Sequence, residues 1–293
     1  MNRLTDPAYL RPLLARHGFS FQKSLGQNFL IDPAVPARQA EAAGLDEDTC
    51  VLEIGPGVGT LTYELCRRAK RVAAIELDRR LIPLLGETME EFSNFSLISG
   101  DALKLDLGQI VREKFGEAPF VVCANLPYYI TSPMLMKLFE TRLAARQITV
   151  LIQREVAARF AAAPGTSDYG AITAAAAYYT RCERLFDVPP EAFLPAPKVT
   201  STVIAFTPIA PPVSVGDEAE LFRLIRAAFA QRRKTLLNCL TGAYKGEGWD
   251  KASLQALLEA CGMEANVRGE ALSLADFARI CNEMQNFREK MNF

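Results

Sequence analysis

Histidine is almost absent from this chain, since His17 is the only one among 293 residues. A metal site built on two histidines is therefore impossible, and a Ser-His-Asp triad would depend on this single side chain. His17 directly precedes Gly18, a sequence typical of a helix end, and we expect it at the surface there. The scarcity of histidine excludes much metal and hydrolytic chemistry, and we expect no metal site.

Paired cysteines and long apolar runs are missing as well. The seven cysteines are odd in number and show no C-x-x-C spacing, which argues against a disulfide framework and against a zinc site. No apolar run approaches the roughly 20 residues that a membrane-spanning helix needs. Residues 1–14 also lack the apolar core of a signal peptide. These absences predict a reduced, cytoplasmic protein.

Charge of one sign accumulates only locally, because the net charge of the whole chain is −1. The stretch from Leu221 to Lys245 carries six basic residues and no acidic one, and we expect it to be helical. A second basic cluster consists of Arg3, Arg11, Arg16 and Lys23. Such clusters on a near-neutral chain predict contact with a polyanion, and a solvated helix face is the alternative.

Strand and helix signals alternate along the first half of the chain, which is typical of βαβ units and a mostly parallel sheet. The predicted strands are 51–54, 72–76, 95–99, 120–124 and 148–153. Two late strands near 184–188 and 200–207 are expected at a sheet edge. After residue 217, the apolar residues recur only at helical spacing, so we expect this part of the chain to be all helix. The length exceeds that of a usual single core, so we expect an α/β domain over 1–212 and a helical domain over 213–293.

Three alternating glycines, Gly55, Gly57 and Gly59, follow the first predicted strand at the start of a helix. Glycine at such a position lets the backbone approach a ligand closely. The spacing is one residue shorter than the dinucleotide fingerprint, and Pro56 removes an N–H group that a phosphate would need. Both departures favour a nucleoside ligand without a pyrophosphate, and a plain strand-to-helix turn is the alternative.

Carboxylates stand near the ends of three successive predicted strands, at Glu53, Glu76 and Asp101. The carboxyl ends of parallel strands form one crevice, so we expect these side chains to face a common ligand. Glu76 is placed to accept hydrogen bonds from both hydroxyls of a ribose. Asp101 is placed to accept from the amino group of an adenine, and helix capping is its alternative role.

The turn Asn125-Leu126-Pro127-Tyr128 follows the fourth predicted strand. Pro127 ends strand pairing and stiffens the chain. A planar amino group could donate to the Asn125 oxygen and to the Leu126 carbonyl while Tyr128 covers the attached ring. This combination suits the exocyclic amine of an adenine, and a proline turn with an asparagine cap is the alternative.

As a set, these motifs resemble the ribosomal RNA adenine dimethyltransferase family, and its small-subunit members most closely. The similarity rests on Gly26-Gln27-Asn28-Phe29-Leu30, the run from Glu53 to Thr62, Glu76, Asp101, Asn125 to Tyr128, Gln153 to Ala157, Phe193 to Val199, and Gln231 to Leu236. The resemblance implies S-adenosylmethionine as methyl donor. It also implies a Rossmann-like class I methyltransferase fold with a small all-helical C-terminal domain.

The resemblance assigns roles to individual residues. The expected cofactor-binding residues are Asn28, Leu30, Gly55, Glu76, Asp101 and Asn125. The expected catalytic residues are Asn125, Leu126, Tyr128 and Phe193, where Phe193 resembles the family's second aromatic near the target base. The residues expected to bind RNA are Arg223, Arg226, Arg232, Arg233 and Lys234.

The predicted function is transfer of methyl groups to adenines of small-subunit ribosomal RNA, giving dimethyladenosine. The expected substrate is a precursor of the small subunit, and we expect the protein to act as a monomer. A large-subunit RNA methyltransferase, a DNA adenine methyltransferase and a non-catalytic assembly factor are the alternatives. The DNA enzymes usually carry two prolines in this motif, whereas only Pro127 is present here.

Overall fold

The protein was analysed as a computed structural model, which describes residues 2–22 and 26–291. Lys23, one of the predicted N-terminal cations, lies outside the described residues. The chain divides into two compact units. The sheet unit consists of Met1–Ala157 and Arg181–Pro208, and the helical unit consists of Ala158–Thr180 and Ile209–Phe293.

The sheet unit is built on a mixed sheet of seven strands in the described residues, with the order β4-β3-β2-β5-β6-β9-β7. The strands of the chain are β1 (Phe29–Leu30), β2 (Cys50–Ile54), β3 (Arg71–Glu76), β4 (Phe95–Ser99), β5 (Phe120–Asn125), β6 (Ile148–Gln153), β7 (Thr180–Val188), β8 (Phe193–Leu194) and β9 (Ser201–Pro208). Strands β2 to β6 pair in parallel, whereas β9 runs antiparallel to β6. The predicted mostly parallel sheet is confirmed, and β9 and β7 form its expected edge.

Helices connect these strands and build the second unit. They are α1 (Pro7–Arg16), α2 (Ala34–Ala42), α3 (Thr60–Cys66), α4 (Ile82–Thr88), α5 (Leu107–Phe115), α6 (Thr131–Glu140), α7 (Arg154–Phe160), α8 (Ala171–Tyr179), α9 (Glu218–Phe229), α10 (Leu236–Ala243), α11 (Lys251–Ala260) and α12 (Leu274–Met291). Several begin where a carboxylate accepts a backbone N–H, as Asp6 does for α1 and Asp217 for α9. Within the described ranges, no helix combines the length and apolar character needed to cross a membrane.

The central strands are buried on both faces, which explains why their sequences are continuous apolar runs instead of alternating ones. All five residues of β2 are buried, and so are the first five residues of β5. On one side, Leu61 and Leu65 of α3 join Val51 and Val121 in a common cluster. The sheet is therefore a rigid support for the loops that follow its strands.

The helical unit has a core of its own. Tyr178 of α8 packs in one cluster with Leu224 of α9, Leu257 of α11 and Phe277 of α12. Its two sequence segments are also joined by a hydrogen bond of 2.9 Å from the N–H of Ile209 to the carbonyl of Tyr179. Residues 158–180 thus group by packing with the C-terminal helices, while the predicted domain division at residue 212 stays a prediction.

The continuous helix predicted for the basic stretch is wrong. Helix α9 ends at Phe229, and α10 begins only at Leu236. The side chain of Thr235 accepts from the N–H of Asn238 and so starts a new helix. Arg232 to Lys234 therefore lie in the turn between two helices.

Candidate active site

The strand order of the sheet unit reverses between β2 and β5. From β2 the chain proceeds outward through β3 to β4, and it then returns to place β5 on the other side of β2. Ligands of open α/β sheets bind outside the carboxyl ends of the strands at such a reversal. A pocket lies there, lined by residues that follow β2, β3, β4 and β5 and by parts of β1 and β8. Glu76, Asp101 and Asn125 line this pocket together, whereas Glu53 is not among its lining residues.

The glycine loop after β2 forms the base of this pocket. Gly55 and Gly57 have φ angles of +69° and +62°, a conformation that side chains disfavour. A Cβ atom on Gly57 would lie 3.2 Å from the ring of Phe29, so this glycine also permits close packing. A Cβ atom on Gly55 would meet no atom within 4 Å. The backbone at Gly55 is therefore open for close approach by a ligand.

Glu76 ends β3 with its carboxylate fixed by the backbone. One oxygen accepts from the N–H of Gly57 at 3.1 Å, and the other accepts from the N–H of Asp78 at 2.8 Å. The residue is 6% exposed, and burial raises the pKa of its carboxyl group. A carboxylate oxygen can accept more than one hydrogen bond, so both oxygens keep acceptor capacity for a ligand.

Asp101 begins the loop after β4, beside the same pocket. Its Oδ1 accepts from the N–H of Leu103 at 3.0 Å, and the ammonium group of Lys104 lies 3.6 Å from its Oδ2. The Asp101 side chain is 30% exposed. Asp101 therefore caps a turn and not a helix, and this contact holds the carboxylate in place at the pocket wall.

Asn125 is the last residue of β5, and its Oδ1 atom is buried. Among the described residues this oxygen has no hydrogen-bond partner. The turn behind it is held to β6, because the N–H of Leu126 donates to the carbonyl of Leu151 at 3.2 Å. A buried acceptor without a partner costs free energy unless it serves a ligand.

Tyr128 is the last residue of this turn, and its side chain is held at the hydroxyl end. Its hydroxyl lies 2.8 Å from the hydroxyl of Ser201 in β9. Burial raises the pKa of this phenol, so the ring stays neutral at physiological pH. The side chain thus offers an apolar face that is anchored against rotation.

The N-terminal segment reaches the pocket through a small second sheet. Strands β1 and β8 pair antiparallel, which places Leu30 opposite Phe193. Asn28 precedes β1, and its side-chain amide donates to the carbonyl of Gly26 at 3.1 Å. These three residues, far apart in sequence, all line the pocket.

A carboxylate beside Glu76 holds this segment in position. Asp78 accepts from the side-chain amide of Gln27 at 2.8 Å and from the guanidinium of Arg80 at 2.9 Å. Arg80 in turn donates to the carbonyl of Ser20 at 3.1 Å. These hydrogen bonds connect the chain after β3 to the residues before β1, at Ser20 and Gln27.

Glu53 differs from the other two acids of the sequence prediction. It is 1% exposed on β2 and is not among the residues that line the pocket, whereas its neighbour Ile54 is. Glu76 is the last residue of its strand and reaches the crevice, whereas Glu53 precedes the last residue of β2 and is buried within the sheet unit. Burial, together with the nearby charge of Glu76, raises the pKa of Glu53 to about 8.

The basic residues predicted to bind RNA lie in the helical unit and differ in their surroundings. Arg223 forms an ion pair with Glu247, and its guanidinium lies 4.3 Å from the centre of the Tyr244 ring. Arg232 donates to the carbonyl of Ser167 at 2.7 Å. The remaining three, Arg226, Arg233 and Lys234, are exposed.

His17 caps the C-terminal end of α1, and its Nε2 lies 2.7 Å from the carboxylate of Glu87. The helix end that the sequence predicted is confirmed, although the side chain is only 18% exposed. In the part of the chain that the structure describes, no group of three or more His, Cys, Asp or Glu side chains is arranged to hold a metal ion.

Two site residues were not singled out from the sequence. Tyr129 is 51% exposed at the pocket, where burial and the charges of Asp101 and Glu76 raise the pKa of its phenol. Lys137 on α6 donates to two carbonyls of the loop that carries Asp101. The aromatic pair after Pro127 was a signal for Tyr129, whereas nothing in the sequence marks Lys137.

Two solved structures show the same architecture. The dimethyladenosine transferase from Plasmodium falciparum matches with a TM-score of 0.70 at 27% identity, over 90% of this chain and 98% of its own. The 23S rRNA methyltransferase ErmE matches with a TM-score of 0.64 at 25% identity, over 88% of this chain and all of its own. Fold and site together define a Rossmann-like class I methyltransferase.

Sequence comparison narrows this class further. The ribosomal RNA small subunit methyltransferase A of Geobacillus thermodenitrificans is 47% identical over 283 residues, which cover 96% of this chain and 97% of that protein. The family model described as ribosomal RNA adenine dimethylase matches residues 18–286. The chain therefore belongs to the ribosomal RNA adenine dimethylase family, and the resemblance expected from its motifs is confirmed.

Proposed function

We propose that this enzyme transfers two methyl groups from S-adenosylmethionine to the exocyclic amine of adenine in small-subunit ribosomal RNA. The observation that carries this proposal is the buried Oδ1 of Asn125, an acceptor that has no partner in the described chain. It lies at a strand end beside the anchored ring of Tyr128. An aromatic amine satisfies both features at once, because it donates hydrogen bonds and belongs to a flat ring.

The donor set of the pocket fits S-adenosylmethionine. Glu76 has two fixed oxygens with remaining acceptor capacity, which suits the two hydroxyls of a ribose. Asp101 would accept from the adenine amine, and the open backbone at Gly55 would lie against the ligand. Asn28 and Leu30 would contact it from the N-terminal segment. When bound, S-adenosylmethionine supplies a methyl group on a positively charged sulfur, which is already a good leaving group.

The chain's own contribution to the reaction is to orient the amine. Its nitrogen lone pair is delocalised into the adenine ring and is a weak nucleophile. Acceptors at Asn125 Oδ1 and the Leu126 carbonyl would hold the two amine hydrogens, which favours a pyramidal nitrogen. Tyr128 and Phe193 would hold the ring after the base has left its stack. No strong base is required, so the main effect is one of orientation.

The choice of small-subunit RNA follows from the relatives. The protein from Geobacillus thermodenitrificans is named for the small subunit, and it is similar over nearly its full length. The named large-subunit enzyme is only 25% identical. We infer a substrate in a precursor of the small subunit and a cytoplasmic site of action, and we propose that the enzyme acts as a monomer. A large-subunit RNA substrate is the second candidate, favoured by the shared fold.

We further propose that the turn between α9 and α10 contacts RNA phosphate. Arg233 and Lys234 are exposed there, and Arg226 is exposed on the last turn of α9. Their positive charge suits a sequence-independent contact with the backbone of RNA. Arg232 and Arg223 belong to the same set, but both already bond to protein groups.

The decisive experiment is nucleoside mass spectrometry after reaction with small subunits that lack the modification. We expect dimethyladenosine as the final product, because a monomethyl amine keeps one hydrogen for one acceptor. Asn125→Ala should keep most of its affinity for S-adenosylmethionine, because Glu76 and Asp101 would supply the main contacts, and yet lose nearly all transfer. Monomethyladenosine at completion, or full activity of Asn125→Ala, would contradict the proposal. Modification of large subunits alone would select the second candidate.

A further inference from the structure

Lys137 stands out because its ammonium group is engaged entirely by backbone carbonyls. Its Nζ donates to the carbonyl of Leu103 at 2.9 Å and to that of Leu105 at 2.6 Å. The residue is half-buried, and among the described residues it has no ion pair with a carboxylate. A lysine usually keeps its charge in water, so a fixed, partly buried ammonium group needs a structural or functional reason.

The two carbonyls belong to the turn that carries Asp101. The N–H groups of Lys104 and Leu105 both donate to the carbonyl of Asp101, at 2.8 and 3.0 Å. The Asp101 carboxylate caps the beginning of this turn through the N–H of Leu103. Lys137 holds its far end, where carbonyls lack partners and a positive charge is favourable. The turn is thus fixed at both ends, once by Asp101 itself and once by Lys137.

Helix α6, which carries Lys137, also begins directly behind the Asn-Leu-Pro-Tyr turn. The carbonyl of Pro127 accepts from the N–H of Ile130 at 3.1 Å and from the hydroxyl of Thr131 at 3.2 Å. The same helix therefore supports the turn after β5 at its beginning and the Asp101 turn one to two helical turns later. Both contacts lie within the sheet unit.

We propose that Lys137 is a positioning residue that sets the Asp101 carboxylate for the adenine of the methyl donor. This inference rests on the proposed function, because it takes Asp101 to be the acceptor of the adenine amine. Lys137 does not touch the ligand itself; it acts by fixing the backbone that aims Asp101.

The experiment compares Lys137→Met, which removes the charge at similar length, with Lys104→Met. Lys104 is 84% exposed and lies 3.6 Å from Asp101, so its variant removes a nearby charge without affecting the carbonyls. By calorimetry, Lys137→Met should bind S-adenosylmethionine roughly tenfold more weakly, the scale of lost hydrogen bonds to a charged group. Lys104→Met should stay within about twofold. Equal effects of the two variants would mean that charge alone matters, and would overturn the proposal.

Two further measurements separate positioning from a general structural role. Without any ligand, amide exchange at Leu103 and Leu105 should speed up in Lys137→Met while the β strands keep their protection. In the Asp101→Ala background, Lys137→Met should cause no additional loss of affinity, since the two residues act through one contact. Additive losses, or unchanged exchange in the turn, would defeat the inference.

Lys137→Gln keeps an N–H donor group without the charge, and it serves if the methionine variant does not fold. It should give an intermediate loss of affinity, and wild-type affinity in this variant would count against the proposal. Failure of the proposed function is distinguishable, because then the wild-type protein would not bind S-adenosylmethionine at all.

Discussion

Burial of Glu76 favours its protonated form, whereas its proposed contact with the methyl donor requires the ionised form. Its carboxylate is buried, which raises its pKa, and the proposed contact is with the two hydroxyls of a ribose. An acid with a raised pKa takes up its proton at a higher pH than the ordinary 4.5. We therefore expect affinity for the methyl donor to fall on acidification, starting above pH 4.5, by up to about tenfold per pH unit.

Calorimetry with S-adenosylmethionine over a pH series tests this expectation. Glu76→Gln is the matched control, because its amide cannot ionise. This variant should bind S-adenosylmethionine weakly, and its affinity should not change with pH. A wild-type affinity that does not change with pH would show that the carboxylate is either not ionised or not in contact with the ligand.

Tyr129 offers a second test at the residue scale. Its ring lies 3.8 Å from the position that a Cβ atom on Gly26 would occupy. The charges of Asp101 and Glu76 contribute to the raised pKa of its phenol. We expect this ring to cover the adenosine of the methyl donor. Tyr129→Ala should weaken binding of S-adenosylmethionine by about 1–3 kcal/mol, the scale of one base stack, while Tyr129→Phe should not. Normal affinity in the alanine variant with slower RNA methylation would assign the ring to the target base instead.

The sequence predicted those site residues that sit at strand ends, and the physical reason is topological. Parallel strands bring their carboxyl ends to one edge, so Glu76, Asp101 and Asn125 could be placed together without knowing any side-chain contact. The pairing of Leu30 with Phe193 was not predictable, because two-residue strands have no periodicity. The role of Lys137 was not predictable for another reason. Its partners are backbone carbonyls, which every residue type has, so the sequence does not indicate the contact.

At the scale of elements, the turn between α9 and α10 concentrates the exposed positive charge of the helical unit. We expect Arg233→Glu combined with Lys234→Glu to weaken RNA binding and to flatten its salt dependence, because fewer counterions would be released. Affinity for S-adenosylmethionine should not change. The measurement is a salt titration of RNA binding.

Lys251→Glu reverses an exposed charge at the start of α11 in the same unit, and it is compared with Arg233→Glu alone, so that both variants change the net charge equally. An acidic residue is tolerated at a helix N-terminus, so this variant should stay folded. If both proteins lose the same amount of RNA affinity, net charge matters and the turn has no special role.

The helix prediction failed at this turn because helical spacing of apolar residues continues through it. Leu236 and Leu240 are buried as the spacing requires, but they belong to a second helix that starts at the Thr235 cap. Periodicity reports which residues face a core, and it does not report whether the axis of the helix changes between them.

At the scale of the whole molecule, we expect Glu53 to make the free energy of unfolding depend on pH. In the unfolded chain an ordinary glutamate loses its proton near pH 4.5, whereas the folded protein holds it up to about pH 8. Between these values only the folded state binds the proton, so raising the pH favours unfolding, by up to about 1.4 kcal/mol per pH unit. Thermal or denaturant unfolding between these pH values should show the decline.

Glu53→Gln should remove most of this decline, because glutamine resembles the protonated acid and does not titrate. Glu90→Gln is the control at an exposed position, and it should leave the wild-type pH profile unchanged. The pH dependence of the wild-type free energy of unfolding is compared with that of each variant. If the wild type is not destabilised between pH 5 and pH 8 relative to Glu53→Gln, the folded protein does not hold a protonated Glu53.

The split of the helical unit into two sequence segments has a consequence for the order in which a ribosome makes the chain. Helix α8 emerges before the residues that bury it, since Tyr178 and Ala174 pack with Leu224, Leu257 and Phe277. At elongation rates of about 5–20 residues per second, roughly 100 further residues take about 5–20 s to synthesise. During that interval an apolar helix rich in alanine has no cover, although the strands up to β6 are already complete. We therefore expect each nascent copy to expose this helix, and to be prone to aggregation, until α12 has been made.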